Sequence, residues 1–187
     1  MVRNTTYWPV INQIKFVINE HKKSYLLNPL LSRWLPVFLW AAIIFIFSNN
    51  PDPYGYIPKG IYHWLWWTKL FGQSLFFYLG ALGHIFEYTI FSLLLARAML
   101  WRGTFTRGQI FTVFYLTLLY AYTDEFHQVF TPGRAFQVAD LLLDALGAAV
   151  GIGSHVLYLR RAQVKQSRIV LRLGAILRLK KHKTKRI

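Results

Sequence analysis

Four apolar runs, Trp34 to about Asn50, Ser74 to Leu100, Gln109 to Phe130 and Phe136 to Leu159, govern what this chain can become. Each approaches the roughly 20 residues an α-helix needs to cross a bilayer. Composition agrees, with 55% hydrophobic and only 16% charged residues. The expected fold is therefore all-α: a polytopic bundle of four transmembrane helices. In the first run the continuous apolar stretch ends at Phe47, so Ser48, Asn49 and Asn50 are needed to complete the crossing. These three read first as a helix end in the headgroup zone, and otherwise as lining for the mouth of a site.

The chain divides into a basic amphipathic N-terminal segment (1–33), the helical block (34–159) and a basic amphipathic tail (160–187). Five basic residues precede Trp34 (Arg3, Lys15, Lys22, Lys23 and Arg33), and eleven follow Leu159. Lysine and arginine near helix ends are retained on the cytoplasmic side, so both termini are expected there. The loop holding Arg102 and Arg107 is then also inside, and the Pro51 to Gln73 loop and the Thr131 to Ala135 hairpin outside. The N-terminus shows no small-residue cleavage pattern, so the first helix is expected to stay in the mature protein.

A net charge of +15 invites a nucleic-acid reading, but these flanking positions point to topology and anionic lipid instead. Membrane lipids are the expected partners and nucleic acid is not. "YWPVINQIKFVINEHKK", with Ile11, Ile14 and Ile18 at helical spacing, reads as an interfacial helix. The cysteine count of zero excludes disulfides and thiol chemistry.

The acids carry the sharper signal. Of seven acidic residues, all but Glu20 and Asp52 fall inside the apolar runs: Glu87, Asp124, Glu125, Asp140 and Asp144. Carboxylates at membrane depth are costly, so they normally face the bundle interior and mark a functional site. Tyr120, Asp124, His127 and Gln128 share one face of the third helix; Gln137, Asp140, Asp144, Gly147 and Gly151 share one face of the fourth. The "TPGR" turn between them makes the helices antiparallel. At 1.5 Å per residue, Asp124 and Asp144 should lie roughly 10 to 15 Å below that turn. On the second helix, His84 should reach the same layer, with Glu87 one turn deeper and Tyr88 a candidate bonding partner for it. Gly147 and Gly151 have the GxxxG spacing that lets a neighbouring helix approach closely.

"DEFHQVFTPGRAFQVADLLLDALGAAVG" resembles the signature of VanZ-like membrane proteins: an acidic-His-Gln run, a Pro-Gly-Arg turn, an aspartate and a glycine-containing helix, in that order. "FSNNP" at Phe47 to Pro51 and "GHIFEY" at Gly83 to Tyr88 are similar to two further elements of that family. The likeness covers Trp34 to about Leu159. One departure is that many relatives carry a basic pair just before the histidine, where this chain has Gly80 and Ala81. The resemblance implies a multi-pass protein of the bacterial cytoplasmic membrane, in a family whose founding member is associated with low-level resistance to the lipoglycopeptide teicoplanin.

Arg134 is the one permanent cation near Asp124, Glu125, Asp140 and Asp144. A low-dielectric site does not tolerate that imbalance unrelieved. Carboxyls that keep their protons, protonated His84 and His127, or a bound divalent metal ion would relieve it. Candidate functional residues are thus Asp124, Glu125, His127, Gln128, Arg134, Asp140, Asp144, His84 and Glu87, with His84, Asp124, His127 and Asp140 as the metal set. The alternative is a hydrogen-bonded network that only fixes the hairpin. The favoured function is a membrane protein that binds or alters a cell-envelope component, such as a lipid-linked precursor, from an outward-facing polar site. The alternatives are an intramembrane metal-dependent hydrolase, which lacks a recognisable ligand motif, and a proton-coupled carrier, which lacks internal repeats.

Overall fold

The computed structural model describes residues 29–52, 54–100 and 105–184. The expected interfacial helix near the N-terminus and Arg102 lie outside the described residues. Five helices follow in order: α1 (Pro29–Ser48), α2 (Lys59–Trp67), α3 (Leu75–Met99), α4 (Arg107–Gln128) and α5 (Val138–Thr184). A short antiparallel ribbon, β1 (Lys69–Leu70) with β2 (Gln73–Ser74), pairs Lys69 with Ser74 and Leu70 with Gln73 between α2 and α3.

Local chemistry sets the boundaries. Ser74 caps α3 by accepting from the Phe77 amide at 3.3 Å. At α4, Thr106 and Gln109 cap each other: the Gln109 amide donates to Thr106 Oγ1 at 3.2 Å, and the Thr106 amide to Gln109 Oε1 at 2.8 Å. The two-residue turn of the ribbon, Phe71 and Gly72, has positive φ at both positions (48° and 85°), the backbone a tight hairpin requires.

Three helices, Leu30–Ser48, Leu75–Met99 and Val138–Lys165, are long and apolar enough to cross a membrane. Their outer surfaces expose Phe38, Ile46, Leu82, Phe86, Leu142 and Leu146, as lipid-facing helices do. The expectation of four such helices is met by three, because α4 carries too many polar groups in its sequence. Thr117, Asp124, Glu125 and Gln128 among them are buried, with Val113 and Ala121 beside them, while Arg107, Gln109, Thr112 and Thr123 are exposed. The loop after α1 also departs from expectation, since it holds the helix α2 as well as the ribbon. No residue of α2 is buried, and Trp64, Trp66 and Trp67 are exposed on it.

α3 stands at the centre, in contact with α1, α4 and α5. Its closest neighbour is α5, because a Cβ on Gly147 would meet the Ile85 carbonyl, and one on Gly151 would meet Ser92 and the Thr89 carbonyl. Thr89 Oγ1 donates to the Gly147 carbonyl at 3.2 Å across this contact. Ile44, Tyr88, Phe91, Leu95, Val113, Ala121 and Ile152 fill the apolar core. Tyr120 lies against this core with its ring stacked on Phe91 at 4.7 Å, and its hydroxyl donates to the Ala41 carbonyl at 2.7 Å. α5 runs on past Leu159 to Thr184 without a break, so the start of the expected tail is helical and continuous with the last span.

Candidate functional site

The α4–α5 connection fixes the acids. The Thr131 amide donates to the Gln128 carbonyl at 3.0 Å and the Arg134 amide to the Thr131 carbonyl at 3.1 Å. Gly133 between them has φ +80°, a conformation that glycine adopts without penalty. Glu125, fully buried, ties the two helices together: its Oε2 accepts from the Gln137 amide at 3.0 Å and its Oε1 from Gln128 Nε2 at 3.2 Å. Asp140 lies in the first turn of α5, where the partial positive charge of a helix N-terminus favours a carboxylate.

His84 on α3 stands between the two aspartates of α5. Its Nδ1 is 3.0 Å from Asp144 Oδ1, and its Nε2 is 3.6 Å from Asp140 Oδ2. Asp144 is 1% exposed, and its Oδ2 has no hydrogen-bond partner. Among the described residues, His84, Glu125 and Asp144 bring ligand atoms within 4.8 Å of one another. The metal set read from the sequence is therefore not the one that converges. His127 points away from it, with its ring 4.6 Å from Phe45 and its Nε2 3.4 Å from Asn49 Oδ1. Asp124 turns instead into a cavity beside the triad.

That cavity, about 280 Å³, lies between α1, α3 and α4. His84, Glu87, Asp124, Gln128 and Arg134 form its polar wall; Phe47, Leu79, Gly80 and Gly83 form the rest with Ser48 and Tyr54. Arg134 is held by weak bonds, Nη1 to Gln128 Oε1 at 3.4 Å and Nη2 to the Asn50 carbonyl at 3.5 Å. Asp124 Oδ1, Ser48 Oγ and Arg134 Nε, buried atoms of residues in this wall, make no hydrogen bond of ordinary length, although Ser48 and Gln128 both face the Asp124 carboxylate. Asp124 is 6% exposed and Ser48 5%.

The expected Glu87–Tyr88 bond does not form. Tyr88 is fully buried in the core with its hydroxyl unpartnered, while Glu87 lines the cavity and its backbone carbonyl accepts from Trp40 Nε1 at 2.9 Å. α1 ends at Ser48, so Ser48, Asn49 and Asn50 do form a helix end; of the three only Ser48 lines the cavity, while Asn49 Oδ1 lies 3.4 Å from His127 Nε2 and the Asn50 carbonyl accepts from Arg134. Tyr54 had no signal in the sequence. Its ring packs edge-on to Phe76 at 4.3 Å, and its hydroxyl lies where a side chain on Gly80 would begin. Burial pushes the Tyr54 phenol above its usual range, against the opposing pull of Arg134, which keeps it a neutral donor over the cavity.

No curated protein and no solved structure matches the chain. The VanZ/LLP1 family model matches residues 33–159, which takes in α1, α3, α4, every residue of the cavity and the apolar part of α5 down to Leu159. The acidic-His-Gln run, the Pro-Gly-Arg turn and the GxxxG helix thus occupy the site and the helix contact beneath it, and the chain belongs to the VanZ/LLP1 family.

Proposed function

We propose that this protein binds or alters a cell-envelope component through the cavity walled by Asp124, Arg134 and Ser48, on the outer side of the bacterial cytoplasmic membrane. The observation that carries this reading is a cavity that gathers Asp124, Arg134, Glu87 and Ser48 beside the apolar Phe47 and Leu79. The Arg134 guanidinium suits an anionic oxygen such as a phosphate; the Asp124 carboxylate and the Ser48 hydroxyl suit hydroxyl or ammonium donors. A phosphate carrying hydroxyl or amine groups, as in a lipid head group or a lipid-linked wall precursor, combines both. The apolar residues beside the polar wall suit the chain that follows such a head group.

In this reading α4 also crosses the membrane. Phe111, Tyr115, Leu119, Tyr122 and Phe126 form one exposed apolar stripe along its 22 residues, about 33 Å at 1.5 Å per residue. The opposite end of the bundle holds Arg97, Arg107, Arg160 and Arg161, the pattern of a cytoplasmic face. Teicoplanin tolerance would follow because its acyl chain holds the antibiotic at the surface where the cavity opens. Native mass spectrometry of the detergent-purified protein tests the binding. A phosphate-bearing lipid should be retained by the wild type and lost from Arg134→Ala and Asp124→Asn; equal retention by all three would refute the cavity as its site.

A further inference from the structure

The triad beneath the cavity has the construction of a metal centre. Its three side chains come from three helices: His84 from α3, Glu125 from α4 and Asp144 from α5. Nothing in local sequence would bring them together, since Glu125 lies in the middle of the acidic-His-Gln run and the other two on separate helices.

Two features set this triad apart from a chance gathering of acids. Asp144 gives one oxygen to His84, while its other oxygen, in a residue that is 1% exposed, has no partner in the protein. The potential ligands are also oriented from behind. Histidines that ligate metals through one ring nitrogen commonly direct the other to a carboxylate, which fixes the ring and raises its basicity. Here Nδ1 faces Asp144, and Nε2 faces Asp140 at 3.6 Å. Glu125 is held by the Gln137 amide and Gln128 Nε2, and each of its oxygens keeps a second lone pair free for coordination. The charge balance favours the same conclusion: Glu87, Asp124, Glu125, Asp140 and Asp144 share this end of the bundle with Arg134, and a divalent ion offsets part of that excess.

We propose that His84, Glu125 and Asp144 bind one divalent transition-metal ion of the zinc class, with Asp140 positioning the histidine. One imidazole and two carboxylates are ligands that Zn²⁺ accepts, and three protein ligands leave a fourth position open. His84 also lines the cavity, so a water or an oxygen of a bound phosphate entering there could complete the coordination. The proposal does not depend on the head-group reading.

Zn²⁺ itself is the probe. The full-length protein, purified in detergent and stripped with chelator, is titrated with Zn²⁺, and bound metal is measured by elemental analysis after gel filtration. About one ion per chain should be retained, and Zn²⁺ should raise the unfolding temperature of the wild type. Asp144→Asn and Glu125→Gln should each weaken binding at least a hundredfold; Asp140→Asn should weaken it about ten- to a hundredfold. His127→Ala, which alters the face toward Asn49, should bind as the wild type does. A stripped wild type that takes up no Zn²⁺ and gains no stability from it would overturn the proposal, leaving His84 as a cation paired with two aspartates. So would uptake that His127→Ala abolishes and Glu125→Gln spares. Because the wild-type titration and the His127 control stand alone, a variant that fails to fold does not shield the proposal. Protein that takes up no Zn²⁺ in the titration yet retains lipid would sink the metal centre and leave the cavity reading intact.

Discussion

His84 Nδ1 lies 3.0 Å from Asp144 Oδ1, and this contact joins α3 to α5 within the buried end of the bundle. Removing one member of a buried hydrogen-bonded pair typically costs about 1 to 3 kcal/mol, because the other is left desolvated and unsatisfied. His84→Ala and Asp144→Asn should therefore each lower stability in detergent by about that much. The double substitution should cost clearly less than the two combined, since the residues act as a unit. Strict additivity in a thermal or denaturant unfolding series would show that the contact carries no coupling.

The helix contact below the site depends on two missing side chains. A Cβ at Gly151 would run into Ser92 and the Thr89 carbonyl, whereas one at Gly153 would meet nothing within 4 Å. Gly151→Ala should destabilise by about 1 to 3 kcal/mol through overpacking. Gly153→Ala, on the same helix, should be neutral or slightly stabilising, since alanine is the better helix former. Unfolding midpoints of the two variants compared with the wild type check this; equal effects would mean that α3 and α5 are not packed so closely.

Orientation is open to a clean labelling experiment because the chain has no cysteine. A single Pro132→Cys in the exposed α4–α5 turn should react in intact cells with a membrane-impermeant thiol reagent. Ala162→Cys, exposed near the far end of the α5 span, should react only after the membrane is opened. The reverse pattern would put the cavity on the cytoplasmic side and remove the basis for an envelope ligand.

Glu125 should behave as a structural tie whether or not it holds metal. Its carboxylate receives the Gln137 amide that opens α5. Glu125→Ala removes the charged acceptor of that part-buried bond, at a cost of about 1 to 3 kcal/mol. Glu125→Gln keeps an acceptor oxygen and should recover much of the loss; a glutamine variant as unstable as the alanine one would contradict the tie.

Much of this site was legible before any coordinates. The helix period placed Asp124 with Gln128 on one face and Asp140 with Asp144 on another, and the Pro-Gly turn folded those faces together. The GxxxG spacing of Gly147 and Gly151 foretold the close approach of α3. The rest depends on tertiary geometry that periodicity does not carry. His127 and Gln128 are neighbours in sequence, but a helix turns about 100° per residue, and that rotation sends His127 to Phe45 and Gln128 into the buried site. Glu125 appeared beside the main stripe, yet it is the member that meets His84 and Asp144. Tyr54 could not be foreseen, because its place over the cavity is set by how the loop after α1 folds back on Phe76. For α4, the sequence showed a polar stripe, and the structure adds that Asp124, Glu125 and Gln128 are buried while Phe111, Tyr115, Leu119, Tyr122 and Phe126 are exposed.

The most direct test of the cavity as the working site is antibiotic tolerance in a susceptible Gram-positive host expressing the protein. The wild type should raise tolerance to teicoplanin more than to vancomycin, because only the former is held at the membrane by an acyl chain. Asp124→Asn and Arg134→Ala should each remove that gain at unchanged membrane abundance, while truncation after Gln166 should reduce it only modestly. Full tolerance from both cavity variants, present at wild-type levels, would contradict the account and make the acidic cluster a packing device.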